Sequence, residues 1–173
     1  MTLADLPARA RWEDKLATFA VDVPLFGRPI EFQVAAARAG ELSDRTIETV
    51  RQVQALGESD LARVLEVVWE NCLLNVESSS YGFEVREGRT ETEASLEAFG
   101  VHDAASAWAR TRLRYCWIAE DDQVTFAANY ATLLVSNEWE THGLDIVVRD
   151  GRVVGGGENG VWLGRFEPRP AGA

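Results

Sequence analysis

The clearest periodic signal lies near the front of the chain. Phe19, Val21 and Val23 recur at alternate positions, and after Pro24-Leu-Phe-Gly-Arg-Pro29 the alternation resumes as Ile30, Phe32 and Val34, with Glu31 and Gln33 between them. A period of two predicts a β-hairpin with one face in the core and one in water. The connection is marked by Gly27 and by two prolines, which cannot donate to a ladder.

The period then lengthens. Ser43, with Leu42 and Ile47 at the spacing of a hydrophobic staple, predicts an N-cap, and Ile47, Val50 and Val53 follow at helical spacing towards a stop near Gly57. Ser59 predicts a second cap. It opens a longer helix in which Leu61, Leu65, Val68 and Cys72 form one stripe, widened by Val64, Val67, Trp69 and Leu73. A stripe that broad implies burial on more than one side, so this helix is expected to be the central element packed on the sheet. Residues 78–93 are polar, charged and aperiodic, which predicts an exposed connection. A short helix is expected between Glu93 and Arg110, with Asp103 as its cap, Trp108 facing inwards and Gly100 interrupting it.

The last third reads as a β-meander. Leu113, Tyr115 and Trp117 alternate with Arg112, Arg114 and Cys116, Glu120-Asp-Asp122 predicts a turn, and Val124 to Val135 predicts a long extended segment. Leu144, Ile146 and Val148 lead into Asp150-Gly151, the strongest short-range hairpin signal in the chain. The return strand is expected to end at Gly155-Gly-Gly, with Val161-Trp-Leu163 as a final edge. The predicted fold class is α+β: an antiparallel sheet from an N-terminal hairpin and a C-terminal meander, with two helices packed on one face. Residues 1–173 are expected to form a single domain with loose ends at 1–16 and 168–173.

Composition supports a folded core, since 46% of residues are hydrophobic and six Trp, seven Phe and three Tyr are present. No apolar run approaches the roughly 18 residues of a membrane span, and Met1-Thr-Leu-Ala-Asp-Leu-Pro-Ala-Arg9 lacks the pattern of a signal peptide, so a cytoplasmic location is expected. Cys72 and Cys116 lie in separate apolar stretches and read as reduced, buried thiols.

Charge changes the picture more. The net charge is −11, and residues 57–140 hold nearly all of the imbalance, with 16 acids against 6 bases. Such a field disfavours nucleic acid and anionic membrane and suits a basic protein partner, with Glu84, Glu87, Glu91 and Glu93 as candidate binding residues.

Candidate chemistry is sparse. Gly155-Gly-Gly-Glu-Asn-Gly160 is not a phosphate loop, because Val161-Trp-Leu rather than a helical pattern follows it, and it predicts a bend or bulge between strands. Glu120-Asp121-Asp122 lacks the ligand spacing of a calcium hand, and Cys72, His102, Cys116 and His142 contain no close-spaced zinc pair. No metal or cofactor is expected. The one constellation with acid–base character is His142 in Trp139-Glu-Thr-His-Gly-Leu144, with Glu140 or Glu138 to orient the ring. The competing reading makes it a turn in which Trp139 anchors the strand.

The pattern Trp139-x-x-His142-Gly143-Leu144-x-Ile146-x-Val148-x-Asp150-Gly151-x-Val153, with Trp108 upstream and the Phe19–Val34 hairpin in front, resembles a family of small bacterial α+β domains of unknown function. The resemblance spans about residues 17–163 and implies a compact fold with no established catalytic residue or cofactor. The family pattern places an acid before the histidine, where this chain has Thr141. Three functional readings follow: an acidic binding protein, such as an immunity-type antagonist of a basic protein; a hydrolase-like or ligand-binding enzyme using His142 and Glu140; and a structural subunit that homodimerises through its edge strands.

Overall fold

In the computed structural model, which describes residues 3–168, the chain builds one seven-stranded sheet covered by helices. The strands are β1 (Arg11–Glu13), β2 (Leu16–Val23), β3 (Arg28–Ala35), β4 (Arg112–Ala119), β5 (Tyr130–Ser136), β6 (Leu144–Arg149) and β7 (Arg152–Glu158), and they lie side by side in sequence order. All neighbours are antiparallel except β3 and β4, which run parallel. A parallel joint requires a crossover. That crossover carries α2 (Asp44–Gln54), α3 (Glu58–Ser78), α4 (Glu91–Phe99) and α5 (Ala104–Ala109); α1 (Leu6–Arg9) precedes the sheet and α6 (Glu120–Thr125) follows β4. The hairpin and the meander thus form one mixed sheet rather than a purely antiparallel one.

The predicted hairpin is present, with Phe19 opposite Phe32 and their rings stacked at 5.7 Å. Such a pair adds about 1 kcal/mol to the burial of the rings themselves. Its connection is shorter than the prolines suggested: pairing runs to Val23↔Arg28, and Pro29 lies inside β3 opposite Asp22. Ile30, Phe32 and Val34 belong to one contiguous core with Val50 and Val53 of α2 and Val64, Val68 and Cys72 of α3. Cys72 and Cys116 are free, buried thiols, and burial alone pushes Cys72 up to about 11.

Several expectations are corrected. Residues 3–16 are not a loose end: Leu6 is buried in the core, and Arg11–Glu13 pairs with Leu16–Thr18 as β1. The C-terminal expectation falls largely on residues 169–173, outside the described residues. Ser43 does cap α2, accepting the Thr46 N–H at 3.1 Å, but the N-cap of α3 is Gly57 rather than Ser59, and the Asp60 carboxylate accepts the Gly57 N–H at 3.0 Å. Gly100 separates two short helices instead of interrupting one, and Thr90 and Asp103 cap them. Residues 120–125 form α6 rather than a turn and the start of a strand, leaving Val124 89% exposed. The acids Glu120, Asp121 and Asp122 fall in the first turn of that helix, where its dipole favours them. Strand β7 runs on through Gly155–Gly157, and residues 163–166 form a 3-10 turn instead of an edge strand.

Candidate functional site

The segment from Ser78 to Glu93 leaves α3, crosses the surface without regular structure, and enters α4. Its aromatic residues tie it down. The Tyr81 and Phe83 rings pack edge-on against Phe99 at 5.0 and 5.4 Å, and the Tyr81 hydroxyl donates to the Trp139 carbonyl at 2.7 Å. The backbone is therefore held in place while Phe83 and Val85 stay exposed, as does Leu74 on the last turns of α3.

The four candidate acids differ in what they do. Glu93 accepts the Thr90 N–H at 2.8 Å in a capping box, which holds its carboxyl below the usual range, and Glu91 is bonded by the Ser80 hydroxyl. Glu84 and Glu87 have no hydrogen bond or ion pair among the described residues, and the same is true of Glu77 on α3 and of Glu138. Several neighbouring acids are engaged: Arg63 pairs with Glu66 and Glu70, Arg86 with Glu97, and Arg89 with Glu93.

The loop 137–143 carries the candidate acid–base pair, and its geometry is that of an anchor. Trp139 is buried, its indole N–H donating to Asn71 Oδ1 at 3.0 Å. The other end of the same amide donates to Glu140 at 2.8 Å, and Asn75 Nδ2 reaches the same carboxylate at 3.3 Å. Asn71 and Asn75 are one helical turn apart on α3, so both present to the loop. Glu140 thus closes a hydrogen-bond chain from Trp139 through α3. His142 is exposed and makes no side-chain hydrogen bond among the described residues, so no bond links it to Glu140.

Beside this anchor, α3 and the β6–β7 edge border a groove of about 240 Å³, with Val67 and Leu144 in its base and Glu70, Asn75 and Glu158 among its lining. The helix can come this close because of the glycines. A Cβ on Gly156 would lie 2.5 Å from Val67 and 2.7 Å from the Asp145 carbonyl. The ladder also shifts register here, between Val147 and Val148, in keeping with the bulge expected from the glycine run.

Among the described residues no three His, Cys, Asp or Glu side chains converge to hold a metal, and no helix is long and apolar enough to cross a membrane. Sequence reasoning missed Asn71 and Asn75, whose only signal was two amides four residues apart on a helix otherwise read for its apolar stripe.

The fold and these sites define an α+β protein with an aromatic-anchored surface segment at residues 79–90 and a loop at 137–143 fastened to α3 through Trp139 and Glu140. The chain belongs to the family described as a domain of unknown function, DUF6985, whose model matches residues 5–161. No curated protein and no solved structure matches it.

Proposed function

We propose that this is an acidic binding protein that engages a basic protein partner through residues 79–90 and the adjoining end of α3, as an immunity-type antagonist would. The observation that carries the reading is the combination on one fixed segment of exposed Phe83 and Val85 with Glu84 and Glu87, which make no ion pair, while the segment's own Arg86 and Arg89 are paired with Glu97 and Glu93 of α4. Apolar anchors supply binding energy and uncompensated charge supplies steering and partner choice. Packing of Tyr81 and Phe83 on Phe99 lowers the ordering cost of docking. A cytoplasmic setting suits its two free thiols.

The test is capture from lysate of the source organism by the wild-type protein and by a Glu77→Lys/Glu84→Lys/Glu87→Lys variant. A stoichiometric basic protein should bind the wild type, weaken as salt rises, and be lost from the variant. A partner retained by the variant, or no stoichiometric partner at all, would overturn the reading.

A further inference from the structure

The opposite face of the sheet carries a second feature. The register places Tyr115, Leu134 and Asp145 in one row across β4, β5 and β6, and Trp117, Thr132 and Val147 in the next. The chain leaving β7 folds over the end of these rows, with the Asn159 N–H donating to the Gly143 carbonyl at 3.0 Å and the Gly160 N–H to Asp145 Oδ2 at 2.7 Å. Tyr115, Trp117, Thr132, Leu134, Asp145 and Asn159 then line a recess of about 220 Å³.

Two observations show that this recess is not closed on itself. Asp145 is only 6% exposed, yet its partners are backbone amides, and among the described residues no Arg, Lys or His pairs with it. A buried carboxylate without a counter-charge is costly. Thr132 is 8% exposed and its hydroxyl has no hydrogen-bond partner among the described residues, nor do the Trp117 indole N–H and the Tyr115 hydroxyl. Tyr115 and Trp117 are half-buried and the Thr132 oxygen is not sealed from solvent, so all three groups are open to an incoming ligand. Here a carboxylate lacking a cation, a hydroxyl lacking a partner and two aromatic side chains meet in one cavity, and aromatic faces beside an anion suit an organic cation.

We propose that this recess binds a guanidinium or primary ammonium group on a short aliphatic stem, with Asp145 as counter-ion, Thr132 Oγ1 as an acceptor, and Tyr115 and Trp117 as walls. The stem runs along Leu134. The site lies across the sheet from α3 and does not depend on residues 79–90. The same head group occurs on free alkylamines and on Arg or Lys side chains of a protein.

The test is an NMR titration of the folded full chain with butylguanidinium and butylammonium, using butylurea as the uncharged control and following the Trp117 indole and the Asp145, Gly160 and Val161 amides. The cations should give saturable shifts and butylurea none. Asp145→Asn should weaken cation binding by at least about tenfold. Its Oδ1 can still accept from Gly160, so the melting temperature should not fall. Thr132→Val, which keeps the shape, should weaken binding by a smaller factor. Saturable binding of butylurea, unchanged affinity in both variants, or no saturation by either cation would overturn the proposal. A blocked Gly-Gly-Arg-Gly-Gly peptide then assigns the source. Binding as tight as that of butylguanidinium points to a protein side chain, and its absence to a free small cation.

Discussion

Glu120 and Asp145 are both buried carboxylates, 7% and 6% exposed, and their surroundings push them in opposite directions. Glu120, at the start of α6, accepts the N–H groups of Ala37 and Ser43 at 2.8 Å and the Thr46 hydroxyl at 2.7 Å. Burial alone would raise its pKa, and these donors outweigh burial, so it is held below the usual carboxylate range. Asp145 is pushed up by burial, which the amides of Gly160 and Val161 offset only in part. The lesson is one of capacity. A carboxylate whose acceptor sites are filled by donors of its own chain is a fastener, whereas one buried with charge to spare is a place for a ligand. Around Glu120 the fastening extends further: Arg45 donates to the Phe126, Ala127 and Ala128 carbonyls and to Asn129 Oδ1, and Gln123 to Thr49.

The comparison can be broken most directly at Glu120. Glu120→Ala leaves three donors unanswered and should cost on the order of 3 kcal/mol in urea unfolding. A loss below about 1 kcal/mol would place the fastening elsewhere. On the helix-covered side, Gly156→Ala forces a methyl against Val67 and the Asp145 backbone and should cost about 2 kcal/mol. Asp145→Asn should instead raise stability near neutral pH, by less than either loss.

Acid sharpens the contrast through linkage. The Glu120 pKa is lowered on folding, so its contribution is full above the ordinary glutamate value of about 4.3 and is lost as pH falls through the folded value. The Asp145 pKa is raised, so its ionisation penalty is full above the folded value and disappears as pH falls below the ordinary aspartate value of about 3.9. Relative to wild type, Glu120→Gln should therefore lie below and Asp145→Asn above at neutral pH. Both differences should shrink on acidification. Parallel curves from pH 7 to pH 3 would contradict both assignments.

Local pattern reached the elements whose cause is local. The Phe19–Val34 alternation, the Ser43 cap and the Asp150-Gly151 turn follow from side-chain period, one hydroxyl and positive φ angles of 48° and 74°. It failed where distant chain decides. Glycines at 155–157 signal a break by composition, yet β7 continues through them because α3 needs that space. Val124 and Phe126 look like strand positions, while three acids at a helix start prevail. Asp145 sits between apolar neighbours in an alternating strand, so the pattern sends it to water. The fold-over at residues 159–160 and the neighbouring side chains of β4 and β5 bury it instead, and no period in β6 encodes that. His142 drew notice as one of two histidines, while the groups that bond around it, Asn71 and Asn75, carried no signal of rarity.

The smallest expected effect concerns that histidine. His142 is exposed and unbonded among the described residues, so His142→Ala should change stability by less than about 0.5 kcal/mol. Glu140→Ala should cost more, about 1 kcal/mol, because it strips the acceptor from two α3 asparagines. The informative quantity is their coupling. Two residues that share no partner should add within about 0.5 kcal/mol in a double-mutant cycle. Additivity keeps Glu140 as an anchor of the Trp139 loop and His142 as a surface residue. A coupling well above that limit would mean that the two side chains meet in solution, and acid–base chemistry at this loop would have to be weighed against the binding function argued from residues 79–90.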